Sequence, residues 1–221
     1  MQHVHGAIAV SFVFNGPENA DWLFVFAHGA GAGMETPFMD AVAQGMAERG
    51  ILVGRFEFPY MRKRRDEGSR RPPDRAPVLL DDFEHRVRQA RADFPDKRIA
   101  IGGKSMGGRM ASMIGEKADA VIAFGYPFHP PGKPDRLRTG HLQSLSFPML
   151  IVQGERDPFG ARTEAEGFDL DPGIHWTWLE DGDHSFKPRK KSGFSEQEHW
   201  QKAVDAAVEF LASVSLGLTP T

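Results

Sequence analysis

The feature that most constrains this chain is an apolar strand that runs directly into Gly103-Lys104-Ser105-Met106-Gly107-Gly108. Ile99-Ala100-Ile101 precedes it, and a helical pattern follows it. A strand ending in G-x-S-x-G and passing at once into a helix sets the serine on a sharp, strained turn with its hydroxyl exposed. The residues two before and two after the serine must then be almost free of side chain. Gly103 and Gly107 meet that need, and Gly108 lets the helix start close to the strand. The same letters also suggest a phosphate-binding loop, G-x-x-x-x-G-K-[ST]. That motif requires glycine at position 98, where the chain has Arg98.

At 221 residues the chain fits one domain, 1–221, with enough length to bury a substantial core. A net charge of -3 gives no reason to expect nucleic acid as a partner. The absence of cysteine removes disulfides, thiolate metal sites and a cysteine nucleophile together, and it fits a reducing compartment. Met1-Gln2-His3-Val4-His5 lacks a basic segment followed by an apolar core, so no secretory signal is expected. No apolar run approaches the ~20 residues needed to cross a bilayer. The expectation is therefore a cytoplasmic protein with no membrane partner. A homo-oligomer is compatible with the sequence but not indicated by it.

Apolar runs predict strands over 7–14, 22–27, 51–56, 98–102, 118–124, 148–152 and 174–179. Leu23-Phe24-Val25-Phe26-Ala27 is too continuously apolar for a half-exposed strand and reads as one covered on both faces. Helical spacing falls between the strands, over 37–49, 78–92 and 106–116. A last helix opens with a capping box from Ser195 to Glu198. Alternating strands and helices imply an α/β fold: a mostly parallel twisted sheet of about seven strands with helices on both faces. Ligands of such sheets bind beyond the carboxyl ends of the strands. Two stretches read as irregular: 59–77, which carries Arg62-Lys63-Arg64-Arg65 and Arg70-Arg71, and 126–147, which is rich in proline.

A serine hydroxyl needs a base to take its proton, and the base needs an orienting carboxylate. In a fold of this kind the acid and then the histidine follow the serine along the chain. Asp157 lies just past the strand over 148–152 and fits the acid best, with Glu155 as the alternative. Aspartate before proline also serves as an ordinary turn residue. His184 follows the last predicted strand and fits the base, while His141, in an irregular loop, stays open. An oxyanion needs two backbone N–H donors. Met106 supplies one, and the loop His28-Gly29-Ala30-Gly31-Ala32-Gly33 the other, at Ala30 or Gly31. That loop lacks the third glycine of a dinucleotide fingerprint at the required spacing. Gly31, Met34, Phe128 and Phe159 are candidates to contact substrate, and Phe38, Met61 and Met106 for further apolar lining. No metal or cofactor is called for, and water is the second substrate.

The glycine-rich loop, Phe56-Glu57-Phe58-Pro59-Tyr60, the elbow and the segment from Gly125 to Pro134 make nearly the whole chain resemble a small α/β-hydrolase. The resemblance is nearer still to a dienelactone-hydrolase-like branch. That branch holds bacterial predicted hydrolases and, in animals, a testis-expressed protein and a subunit of the nonspecific-lethal acetyltransferase complex. It implies the fold and the roles of Ser105, Asp157 and His184, while the short, proline-rich connection between the strands ending near Phe124 and beginning near Pro148 leaves room for only a minimal cap. It implies no substrate. Dienelactone hydrolases proper use cysteine where this chain has Ser105, so their specific reaction does not carry over. Two functions are expected to compete. One is a serine hydrolase acting on an ester or related acyl bond of a small molecule, carboxylesterase-like, with thioesterase and peptidase chemistry left open. The other is a non-catalytic interaction module, which would not need serine, acid, histidine and both elbow glycines together. The arginines of 62–71 invite a further expectation, that they favour anionic substrates, against a plain solvated loop neutralised by Asp66, Glu67 and Asp74.

Overall fold

A computed structural model of the chain describes residues 12–218. In chain order it contains β1 (Val13–Asn15), β2 (Trp22–Ala27), α1 (Pro37–Ala47), β3 (Leu52–Phe56), α2 (Pro59–Glu67), α3 (Ala76–Asp93) and β4 (Arg98–Lys104). There follow α4 (Met106–Met113), β5 (Ala120–Phe124), β6 (Met149–Gly154), α5 (Arg162–Ala165), β7 (Ile174–Leu179) and α6 (Glu196–Ser215). The strands form one seven-stranded sheet in the order β1-β3-β2-β4-β5-β6-β7. β1 runs antiparallel to β3, and all other pairs are parallel. Among the described residues no helix is long and apolar enough to cross a membrane.

The central strands β2, β5 and β6 are almost continuously apolar because both of their faces are covered. Along β2, Leu23, Val25 and Ala27 enter one core with Leu79 and Phe83 of α3 and Met110 and Ala111 of α4. Trp22, Phe24 and Phe26 enter a second core with Phe38, Val42 and Met46 of α1 and Val204, Ala207 and Leu211 of α6. Close helix packing uses small residues. A Cβ on Gly45 of α1 would lie 3.0 Å from a Val204 methyl of α6.

Register brings the strand ends level. Ala27 pairs with Phe56 and with Gly103, Lys104 with Phe124, Phe124 with Val152, and Gly154 with Leu179. Every loop that leaves these ends therefore emerges along one edge of the sheet.

Element positions differ from the sequence expectation in explicable ways. The strand expected over 7–14 lies partly outside the described residues, and β1 begins at Val13. The helix expected over 106–116 stops at Met113, and a short 3₁₀ turn, Gly115–Lys117, completes it. The larger correction is α2, which occupies the start of the stretch read as irregular. Pro59 at its first position and Gly68 at φ 63° beyond its end frame it. Only Tyr60 and Met61 are buried, so the helix has almost no apolar period for the sequence to display. The capping box of α6 forms as expected: Glu198 N–H donates to Ser195 Oγ at 3.2 Å, and Ser195 N–H to Glu198 Oε2 at 2.7 Å. The proline-rich stretch contains only one 3₁₀ turn, Gly140–Leu142, so the cap is minimal.

Candidate active site

Ser105 sits between β4 and α4 at φ 51° and ψ −112°, a backbone state that non-glycine residues rarely adopt. The glycines around it make that turn possible. A Cβ on Gly103 would stand 2.4 Å from the Ala27 carbonyl oxygen, and one on Gly107 2.6 Å from the same atom. A Cβ on Gly108 would stand 2.7 Å from the Gly103 oxygen. The turn is held by Ser105 N–H donating to the Phe124 carbonyl at 2.9 Å.

Asp157 leaves the end of β6 and is fully buried. Its Oδ1 accepts from Phe159 N–H at 2.8 Å, and its Oδ2 from Gln153 Nε2 at 3.0 Å. His184 leaves the end of β7. Gly154 allows the two loops to meet, since a Cβ there would lie 2.4 Å from the Asp183 oxygen. His184 Nδ1 is 2.7 Å from Asp157 Oδ2, and its Nε2 is 2.9 Å from Ser105 Oγ. A neutral imidazole protonated on Nδ1 satisfies both contacts, donating to the carboxylate and accepting from the hydroxyl. Burial pushes the His184 pKa below the ordinary value, against the raising effect of the Asp157 bond. The Phe159 ring packs on the imidazole at 4.2 Å between centroids.

The glycine-rich loop after β2 is fixed from below. His28 is fully buried; its Nδ1 lies 2.7 Å from the Gly29 oxygen, and its Nε2 accepts from Phe58 N–H at 3.1 Å. These partners require the neutral ring with its proton on Nδ1, and burial pushes its pKa down to about 4. The Tyr60 hydroxyl lies 3.2 and 3.0 Å from the Gly29 and Ala30 carbonyl oxygens. Met106 is the first residue of α4, so its N–H belongs to the donors that the helix itself leaves unpaired.

A cavity of about 610 Å³ opens beside Ser105. Ala30, Gly31, Phe159, Ser105 and His184 line it, together with Phe38, as expected candidates. Met34 and Phe128 do not line it, which corrects their expected contact with substrate. Met34 is buried beside Arg55, which donates to its carbonyl at 2.8 Å. Phe128 turns into the core, with its ring 4.7 Å from Tyr126 and 5.8 Å from Trp176. Met61 is likewise a core residue. The open alternatives find other partners. His141 Nε2 lies 2.8 Å from Ser112 Oγ, and Glu155 pairs with Arg162 at 2.9 Å. Sequence reasoning missed Pro37 and Met39 of α1, Lys104, and Glu196 and Trp200 of α6, all of which form cavity wall. Their only sequence signal is proximity to a helix start or to the elbow.

None of the residues 62–71 lines the cavity. Arg62 pairs with Asp82 at 3.1 Å, Arg65 with Glu57 at 2.6 Å, and Arg71 with Glu67.

Comparison with known proteins agrees with this architecture. Solved structures of similar fold include an α/β serine hydrolase homologue from Coxiella burnetii, with TM-score 0.70, 16% identity, and 90% of each chain covered. A Xanthomonas campestris α/β serine hydrolase described as lacking a lid aligns with TM-score 0.64 and 19% identity, over 95% of this chain and 90% of that one. Dienelactone hydrolase from Anabaena variabilis aligns with TM-score 0.66 and 19% identity, over 90% of this chain and 89% of that one. The α/β hydrolase domain model matches residues 20–212, nearly the whole described fold, and the chain belongs to that family.

Proposed function

We propose that this protein is a serine hydrolase that cleaves an ester or related acyl bond of a small molecule through an acyl-enzyme on Ser105. One observation carries the reading: a single imidazole, His184, lies 2.9 Å from a serine oxygen on a strained turn and 2.7 Å from a buried carboxylate. Ser105 Oγ attacks the acyl carbon while His184 Nε2 takes its proton. Asp157 holds the ring in the required tautomer and stabilises the imidazolium. The N–H groups of Met106 and Ala30 receive the oxyanion of the tetrahedral intermediate. Collapse breaks the bond to the leaving group, which takes the proton back from His184. Water then repeats the sequence and releases the acid.

The test is covalent labelling by a fluorophosphonate followed by acyl-ester hydrolysis. Wild type is expected to label once, at Ser105. Ser105→Ala is expected to fold, to resist labelling, and to lose hydrolysis by ~10⁴ to 10⁶-fold. A Ser105→Ala variant that turns over undiminished overturns the reading, and an intact protein that neither labels nor hydrolyses any acyl ester favours the interaction module. Because the His184 pKa lies below the ordinary 6.5, kcat/KM is expected to stay high at neutral pH and to fall only as pH drops below that value.

A further inference from the structure

Lys104 stands directly before the nucleophile, and the reaction just described gives it no part. Its side chain leaves the end of β4 and reaches the loop that carries the base, where the ammonium donates to the His184 carbonyl oxygen. Two aromatic rings flank it, with Nζ 5.0 Å from the Phe186 centroid and 5.8 Å from that of Phe38. Gly125, at φ 67°, makes the space: a Cβ there would lie 2.6 Å from Nζ and 3.5 Å from His184 Cε1. Among the described residues no carboxylate forms an ion pair with Lys104. A half-buried cation without a paired anion still carries a desolvation cost, and a methionine would fill a similar volume without it.

Resting on the reading of Ser105 and His184 as nucleophile and base, we propose that Lys104 is the positioning residue for the base, holding the His184 backbone in register with Ser105 from the adjacent position of the same strand end. One short segment then sets both partners of the proton transfer. The ammonium also acts on the imidazole through space. The charged groups facing His184 are Asp157 and Asp183, which favour its protonated form, and Lys104, which opposes it alongside burial. Lys104 faces the same two aspartates, and burial pushes its pKa down to about 8. Phe38 of α1, Phe186 and Gly125 complete its surroundings and carry no charge. At neutral pH and below, Lys104 is therefore charged and helps keep His184 a free base.

The experiment measures the fluorophosphonate labelling rate between pH 5 and 8 for the full chain and for Lys104→Met and Lys104→Gln. Methionine removes the donor and the charge, whereas glutamine removes the charge and keeps a donor at shorter reach. In both variants the acid midpoint is expected to move up by about one pH unit, because a cation close to the imidazole is gone. The plateau rate is expected to fall on the order of tenfold to a hundredfold in the methionine variant and less in the glutamine variant, as the base loses its alignment. A plateau lowered equally in both variants with the midpoint unmoved assigns Lys104 to packing alone and overturns the proposal, as does a rate profile identical to wild type. His184 titration by NMR, with and without Lys104→Met in a Ser105→Ala background, reads the same shift without any activity. If wild type fails to label, the hydrolase reading fails while this titration still decides the role of Lys104.

Discussion

The histidine that opens the glycine-rich loop does its work by staying neutral. His28 bridges the Gly29 carbonyl and the Phe58 N–H, one ring nitrogen to each, so protonation breaks one of the two contacts. Its pKa near 4 in the fold, against an ordinary 6.5, fixes the sign of the effect. Above pH 6.5 the ring is neutral in both folded and unfolded chains, and its contribution to stability is fully present. As pH falls from 6.5 towards 4 the unfolded chain binds a proton that the folded chain refuses. Stability is lost across that window, by about 3 kcal/mol in all for a shift of this size. Urea unfolding at pH 7, 5.5 and 4.5 should show that loss in wild type. His28→Gln, which cannot titrate, should be less stable at pH 7 and flatter across the series. A glycine-rich loop was legible in the sequence. The role of His28 was not, because Phe58 lies thirty residues on, between β3 and α2.

Among elements, the elbow shows how backbone approach dictates residue type. The tightest position is Gly102, where a Cβ would stand 2.0 Å from the Ile122 carbonyl oxygen of the neighbouring strand. Gly31 is its opposite, with nothing within 4 Å of a built Cβ. Gly102→Ala is therefore expected to cost more than ~3 kcal/mol or to abolish folding, since backbone cannot retreat as a side chain can. Gly31→Ala should change stability by less than ~0.5 kcal/mol. Thermal denaturation of the two variants checks both. The helix α2 makes the complementary point about charge. Arg62 faces Asp82, Arg65 faces Glu57 and Asp66, and none of the helix's arginines lines the cavity. Arg64→Ala and Arg65→Ala should leave the ratio of kcat/KM for an anionic and a neutral ester of matched size unchanged, at low and at high salt. A ratio that falls on substitution returns the segment to substrate choice.

For the whole molecule, the decisive feature is how little covers the site. The connection between β5 and β6 is packed down, with Tyr126, Phe128 and Leu142 fully buried and Ser112 of α4 bonded to His141. Prolines stiffen it further. It forms a wall of the fold and has no helix free to close as a lid. The cavity, about 610 Å³ in volume, has room for one small ligand with an apolar portion against Phe38, Phe159 and Trp200. Acetyl and butyryl aryl esters should therefore be better substrates than long-chain ones, and no activation should appear at a lipid interface. Strong preference for long chains would contradict this geometry.

The sequence by itself determined the features that depend on neighbours along the chain. The elbow was legible because Gly103, Ser105 and Gly107 must be close in sequence to make one turn. The buried strands were legible because covering both faces leaves an unbroken apolar run, as in β2. Asp157 and His184 were legible as candidates because parallel strands of equal register deliver their loops to one edge in a known order. Only the tertiary structure decided what fills that edge. Glu196 and Trp200 reach the cavity because α6 packs on α1, and Phe128 leaves it because its ring finds Tyr126 and Trp176. Charge was the least legible quantity. The arginine run drew attention in the sequence, yet several of its members are paired with acids on the surface. The single lysine beside Ser105 drew attention only as part of a phosphate-loop pattern that Arg98 breaks, and it is the half-buried cation at the site. A sequence counts charges, and only a fold decides which of them meet a partner, because pairing depends on distances between residues far apart in the chain.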